Sequence, residues 1–255
     1  MYNPFTLQDK TILVTGASSG IGKSTALECS KLGATVVITG RNEERLQEVF
    51  NLLDCKYNQN HLMVVADLAT DDGLVHLVSR LPKLDGVSSN AGILVNNAPI
   101  KFLKEELIDQ VFQSNTKLHV KLARDLYKKK ILNKGTSYVF TVSIGGVTTF
   151  TVGNSAYGMA KAALNSFMKF CAVDFAARGI RCNSICPGMI QTPMTTANGT
   201  FTEDDYKKDM EENYLLKRYG RPEEVAWTTA FLLSDASSFI TGATILVDGG
   251  ASIVR

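Results

Sequence analysis

Tyr157 and Lys161 stand four residues apart, which on a helix puts both side chains on one face and beside each other. A phenol next to an ammonium is a proton donor whose anion has a partner waiting. Free Tyr titrates near pH 10. Lowering that by about three units takes about 4 kcal/mol of differential stabilisation, within reach of a partly dry pocket. Such a pair suits carbonyl reduction, which needs a proton at oxygen while a hydride arrives at carbon. Tyr-x-x-x-Lys alone is common on helical surfaces. Ser143, fourteen residues earlier at the end of an apolar run and before Gly145-Gly146, adds a hydroxyl able to hold the substrate oxygen.

A second set of residues could hold the hydride source. Thr15-Gly16-Ala17-Ser18-Ser19-Gly20-Ile21-Gly22 follows an apolar run and opens a helical segment. In that context Gly16 permits a tight turn and Gly20 lets the backbone approach a pyrophosphate. Gly22 allows close helix–strand packing, and Ser18 to Ile21 bring the helix N-terminus to the anion. The next apolar run ends in Gly40-Arg41-Asn42. An acidic side chain there would select NAD through the ribose hydroxyls, whereas Arg accommodates a 2′-phosphate. Gly40 offers a ribose nothing and Arg41 can pair with phosphate, so NADP(H) is favoured over NAD(H). Ser19, within the glycine loop, has no charge, which leaves Arg41 to carry it alone.

These residues need a scaffold of strands and helices. Apolar runs at Lys10–Thr15, Thr35–Thr39, Leu62–Ala66, Gly86–Ser89, Ser137–Val142, Arg181–Ile185 and Thr244–Val247 read as seven strands. Helical periods fall between them at Ile21–Lys31, Asn42–Leu53, Gly73–Arg80, Leu103–Lys130, Ser155–Arg178 and Glu223–Leu233. Alternation of this kind predicts βαβ units, and unbroken apolar strands predict a mainly parallel sheet covered on both faces. No linker or repeat divides residues 1–255, so one doubly wound α/β Rossmann-type domain is expected. The polar stretch Pro193–Asn213 reads as an inserted lid. In and beside it Phe201, Tyr206, Met210, Tyr214 and Leu215 either cover a site or pack the lid onto the core.

In this order the motifs resemble the classical short-chain dehydrogenase/reductase family, in particular its 3-oxoacyl carrier-protein reductase-like members. The motifs are Thr15–Gly22, Asp67-Leu68, Asn90-Ala91-Gly92, Asn115, Ser143, Tyr157-x-x-x-Lys161, Asn183–Gly188, Arg218–Ala226 and Ile240–Gly250. The resemblance spans nearly the whole chain. It implies that Asp67 receives the adenine amino group and that Asn90–Gly92 line the adenosine side. It implies that Asn115 bridges by water to Lys161 in a proton relay. Pro187, Gly188, Ile190 and Thr192 would hold the nicotinamide carboxamide, with Asn42 and Leu68 also lining the cofactor. Ser89 stands where the family often has a second Asn, with little consequence expected. Spacing from Ser143 to Tyr157 exceeds the usual by one residue, which leaves the pocket floor open. Lys129, Lys130 and Arg178 fall where such reductases carry a docking patch for an acidic acyl carrier protein. The two long helices and the tail Ala251–Val254 would form interfaces of a homotetramer or homodimer.

The expected activity is hydride transfer between NADP(H) and a ketone or secondary alcohol, with a 3-oxoacyl thioester leading. An NAD(P)-dependent alcohol, sugar or steroid-type dehydrogenase is the alternative within the class. A non-catalytic nucleotide-binding regulator is the alternative outside it. Lys and Arg number 27 against 25 Asp and Glu, so no basic excess calls for nucleic acid. Gly135–Ala160 lacks charge but is mostly Gly, Ser, Thr and Asn around its apolar residues, too polar for a membrane span. Cys29, Cys55, Cys171, Cys182 and Cys186, with His61, His76 and His119, lack metal-ligand spacing, and no metal is expected. Reduced thiols and the absence of a signal-like apolar run favour the cytoplasm.

Overall fold

Along each inner strand, neighbouring apolar residues point to opposite faces of one sheet and enter two separate cores. Leu13 and Val37 face one side, packed with Leu74 and Leu77, Leu122 and Leu126, and Leu164 and Met168. Ile12, Val14, Val36 and Ile38 face the other, with Ala26, Leu46, Val225 and Leu232. The computed structural model describes residues 3–95, 98–196 and 202–254. Strands β1 (Thr11–Thr15), β2 (Thr35–Gly40), β3 (Leu62–Val65), β4 (Leu84–Ser89), β5 (Leu132–Thr141), β6 (Arg181–Pro187) and β7 (Thr244–Val247) form the sheet. Its order is β3-β2-β1-β4-β5-β6-β7, parallel throughout.

Helices α1 (Gly20–Lys31), α2 (Glu43–Asn51), α3 (Asp71–Arg80), α4 (Glu105–Phe112), α5 (Leu118–Lys128) and α6 (Ser155–Asp174) connect the strands. They are followed by α7 (Pro193–Thr196), α8 (Glu203–Asn213) and α9 (Pro222–Leu233). Because β1 lies between β2 and β4, the connections leave its two sides in opposite directions. The crevice this opens at the carboxyl ends of β1 and β4 is where doubly wound sheets bind ligands.

The helix expected over Leu103–Lys130 is not continuous. Gln113–Lys117 form a single π-helical turn between α4 and α5, and Asn115 is buried at its centre. A π-turn widens the helix locally and shifts the face that later residues present. The helix expected over Ser155–Arg178 also ends early. It stops at Asp174, a 3-10 turn covers Ala176–Arg178, and Gly179 closes it at φ 66°.

Candidate active site

One cleft of about 530 Å³ runs over the carboxyl ends of the strands, within the range of small-molecule and cofactor pockets. The glycine loop, the end of β2, the Asn90–Gly92 loop, Ser143, Tyr157, Lys161 and the turn after β6 all line it.

At one end Gly16 takes φ +65°, and a Cβ there would sit 2.9 Å from the Ala91 backbone. A Cβ on Gly22 would meet the Gly16 carbonyl oxygen at 2.2 Å. Loop, helix and Asn90–Gly92 are thus packed backbone to backbone, and only glycine fits. Thr15 ties the same parts together, its Oγ accepting from the amides of Asn90 (2.9 Å) and Ala91 (3.1 Å). Ser19 starts α1 without a side-chain cap, so the first-turn amides keep their hydrogen-bonding capacity for an anion in the cleft. These features fit a dinucleotide pyrophosphate.

Farther along the wall, Gly40 is buried while Arg41 is exposed at the rim. Asn42 lines the cleft as well. Its Oδ1 accepts from the Arg45 amide (2.8 Å) and caps α2. Arg45, one turn onward on the same wall, was not anticipated. Its i+4 spacing from Arg41 was the available signal. Asp67 Oδ1 accepts from the Ala69 amide (3.0 Å), which fixes the carboxylate on the cleft wall with capacity for a further donor. Leu68 lines the wall beside it.

Ser143, Tyr157 and Lys161 meet at the other end of the cleft. Gly145 donates its amide to Ser143 Oγ (3.1 Å), and the Ser143 hydroxyl favours the ionised form of Tyr157. Lys161 is buried; its Nζ donates to the Thr141 carbonyl (3.0 Å) and lies 5.8 Å from the Tyr157 ring centre. The reading in which the ammonium alone pulls the phenol down is not met by this geometry. Burial pushes Tyr157 up to about 12, against the opposing effect of Ser143. Burial also pushes Lys161 down to about 8. Cys186 lies near both, but burial holds its thiol at about 12 and thus neutral and unreactive. At neutral pH the site holds a protonated phenol next to a charged lysine, a state suited to donating a proton.

Asn115 approaches this group from the π-turn, but its side chain is already engaged. Oδ1 accepts from the Ile93 amide (2.9 Å) and Nδ2 donates to the Ile93 carbonyl (2.9 Å). One acceptor position on Oδ1 and one hydrogen on Nδ2 remain. After β6, Thr195 Oγ1 donates to the Ile190 carbonyl (2.7 Å), and the Met189 amide donates to Tyr214 Oη (3.0 Å). Pro187, Gly188 and Thr192 line the same end. A Cβ on Gly20 would meet Thr192 Cγ2 at 3.1 Å, so the two loops close on one another. In the lid, Tyr206 and Tyr214 each pack edge-on against Tyr219, and Tyr214 also lines the cleft. Leu215 is exposed. Phe201 lies outside the described residues.

Ser89 has a consequence after all. Its Oγ bonds the fully buried His119 Nδ1 at 2.6 Å. Burial and the nearby Lys161 push His119 down to about 3, so it folds neutral. The unfolded chain takes that proton near 6.5 and the folded chain does not. Stability is therefore full above about pH 6.5 and is lost as pH falls toward 3. At pH 5 the cost is about 2 kcal/mol. Chemical denaturation at pH 7 and pH 5 checks this, with a smaller loss expected in His119→Asn.

Residues 16–252 match the family model described as Enoyl-(Acyl carrier protein) reductase. The 3-oxoacyl-[acyl-carrier-protein] reductase of Rickettsia felis is 36% identical over 248 residues, covering 97% of this chain and 99% of that protein. A short-chain type dehydrogenase/reductase from Mycobacterium ulcerans superposes with TM-score 0.86 at 32% identity, covering 98% and 92%. The chain belongs to the classical short-chain dehydrogenase/reductase family. Levodione reductase, at 27% identity and TM-score 0.89, covers 97% of this chain and 99% of that one. As a short-chain dehydrogenase/reductase the protein is an NAD(P)H-dependent oxidoreductase acting on carbonyl or alcohol substrates, which sets aside the non-catalytic reading. Among the described residues no cluster of metal-ligating side chains occurs, and no helix is long and apolar enough to cross a membrane.

Proposed function

We propose that this enzyme uses NADPH to reduce a ketone, with a 3-oxoacyl thioester as the leading substrate. The observation that carries the reading is the two-ended cleft. One end gathers Ser143, Tyr157 and Lys161, and the other carries Arg41 and Arg45 at the rim with no carboxylate at Gly40. The bound dinucleotide supplies the hydride. Ser143 and Tyr157 hold the substrate oxygen, and Tyr157 gives its proton as negative charge develops there. Lys161 stabilises the phenolate that remains and orients the ribose. Gly16–Gly22 and Asn90–Gly92 hold the pyrophosphate and adenosine, and Pro187–Thr192 the carboxamide.

Apolar side chains on the loop that carries the lining residues Thr149 and Asn154, and on its neighbour, support an apolar substrate chain. Ile100, Phe102, Phe150 and Val152 are exposed on two adjoining loops, joined where the Ala98 amide donates to the Gly153 carbonyl (2.9 Å). An acyl carrier protein is the proposed macromolecular partner, through Lys129 and Lys130, which are exposed. Arg178 contributes less than expected, because it donates to the Leu132 carbonyl and sits over the Tyr127 ring. Activity on 3-oxoacyl thioesters and on alcohols, sugars and steroids, followed at the nicotinamide absorbance with both cofactors, tests the assignment. Turnover of alcohols with no reduction of any 3-oxoacyl thioester would overturn it.

Cofactor choice has its own test. Removing one charge-assisted hydrogen bond costs about 1.5–3 kcal/mol. Arg41→Ala should weaken NADPH by that amount, Arg45→Ala by less, and NADH should be nearly unaffected. Titration of each variant with both cofactors separates the outcomes, since equal losses would sink the assignment. Assembly into a homotetramer or homodimer is proposed from exposed apolar side chains, Phe170 and Val173 on α6 and Ile253 in the tail. Light scattering that returned the monomer's 27.8 kDa would contradict it.

A further inference from the structure

The loop after β4 is held at three points. Thr15 Oγ1 holds the amides of Asn90 and Ala91, and the Asn115 side chain holds Ile93 on both its backbone groups. The third point is Ser89, whose Oγ meets His119 Nδ1 at 2.6 Å. His119 comes one turn after Asn115, at i+4, so two side chains of one helical column grip the two ends of one loop. Between the grips the chain passes Lys161. A Cβ placed on Gly92 would lie 2.5 Å from Asn115 Oδ1 and 3.7 Å from Lys161 Nζ.

His119 is fully buried, and its Nε2 has no hydrogen-bond partner. A buried ring nitrogen left unpaired is costly, and an apolar side chain of similar shape would avoid that cost. An imidazole here is accounted for by the bond it makes through Nδ1. The titratable groups around it are Lys161 from α6 and, by way of Ser89, Tyr138 from β5. Burial keeps the ring neutral, so it adds no second cation beside Lys161.

We propose that His119 is a positioning residue which, through Ser89, sets the Asn90–Gly92 loop against Lys161 and so determines cofactor affinity. The proposal rests on the reading above in which that loop and Lys161 hold the dinucleotide. Ser89 and His119 act as one unit, a Ser–His pair standing where the family resemblance expects a second Asn.

The test uses the full-length enzyme with NADPH as probe. His119→Leu should raise the NADPH Kd and KM about tenfold while the KM for the ketone stays within about twofold. Ser89→Ala, a smaller truncation that leaves the helix intact, should do the same and serves if His119→Leu does not fold. The double variant should be no worse than the worse single variant, because the pair shares one interaction. His119→Asn, whose side-chain amide falls near the Nδ1 position, should restore NADPH binding to within about twofold. A packing role alone would lower thermal stability in all of these variants without that rescue. Fully additive losses, or folded Leu and Ala variants that bind NADPH within twofold of wild type, would overturn the proposal. Wild-type protein that bound neither NADPH nor NADH would overturn the cofactor reading itself, a separate and recognisable result.

Discussion

Tyr157→Phe is expected to slow the chemical step of carbonyl reduction by about 10²–10⁴, the loss typical of a missing general acid. The change removes one oxygen and keeps the ring, whose hydroxyl interacts with Ser143 and supports no part of the core. Folding and NADPH binding should survive. Lys161→Met should lose both rate and cofactor affinity, because one ammonium serves the phenolate and the ribose. The pH dependence follows from burial. Tyr157 at about 12 stays protonated through the neutral range, whereas Lys161 at about 8 loses its charge first. Reduction should therefore decline as pH rises through about 8, as an apparent value belonging to the coupled pair. In Lys161→Met that limb should disappear. Single-turnover reduction at saturating NADPH is the measurement. A Tyr157→Phe rate above about a tenth of wild type would place the proton donor elsewhere.

Most of this scaffold could be read from residue pattern, and the parts that could not share a cause. Strands β1 and β2 were legible because a strand buried on both faces is an unbroken apolar run, and nothing in a surface loop imitates that. The catalytic positions were legible because Tyr157 and Lys161 share a helix, so spacing alone places them together. The π-turn at Gln113–Lys117 could not be seen, since helical periodicity tolerates one widened turn without changing the pattern of apolar residues. The capping role of Asn42 was not legible because a cap and a ligand make the same use of an amide oxygen, and helix geometry decides the cap. Tyr157 was expected to be acidified by Lys161. The strength of that coupling depends on distance and desolvation, which sequence spacing does not contain. His119 was set aside as one of three scattered histidines. Its i+4 relation to Asn115 was visible, but its partner Ser89 lies thirty residues away, across a contact only the fold creates.

The extra residue between Ser143 and Tyr157 left the pocket floor open, and the backbone after Ser143 is closely packed there. Gly146 takes φ +85°, and a Cβ on it would meet the Gly158 carbonyl oxygen at 2.1 Å and Cα at 2.6 Å. The loop after Ser143 is thus pressed directly onto the first turn of α6, one residue beyond Tyr157. Past that contact the chain swings outward, leaving Phe150 and Val152 exposed before it returns at Asn154. Gly146→Ala tests the point. Both the left-handed backbone and the contact with Gly158 resist a side chain, and neither neighbour can rotate away, because both are backbone. We expect a stability loss of about 2–4 kcal/mol. The larger effect should be on catalysis. If the loop yields by about 1 Å, Ser143 leaves Tyr157, and a displacement of that size costs on the order of 10²-fold. The loss should fall on kcat, with NADPH affinity largely kept, since the contact joins Gly146 to Gly158 and involves neither Gly16–Gly22 nor Asn90–Gly92. Steady-state kinetics beside NADPH titration of the folded variant distinguish this from general damage. Unchanged kcat would mean that Ser143 is not held by this contact.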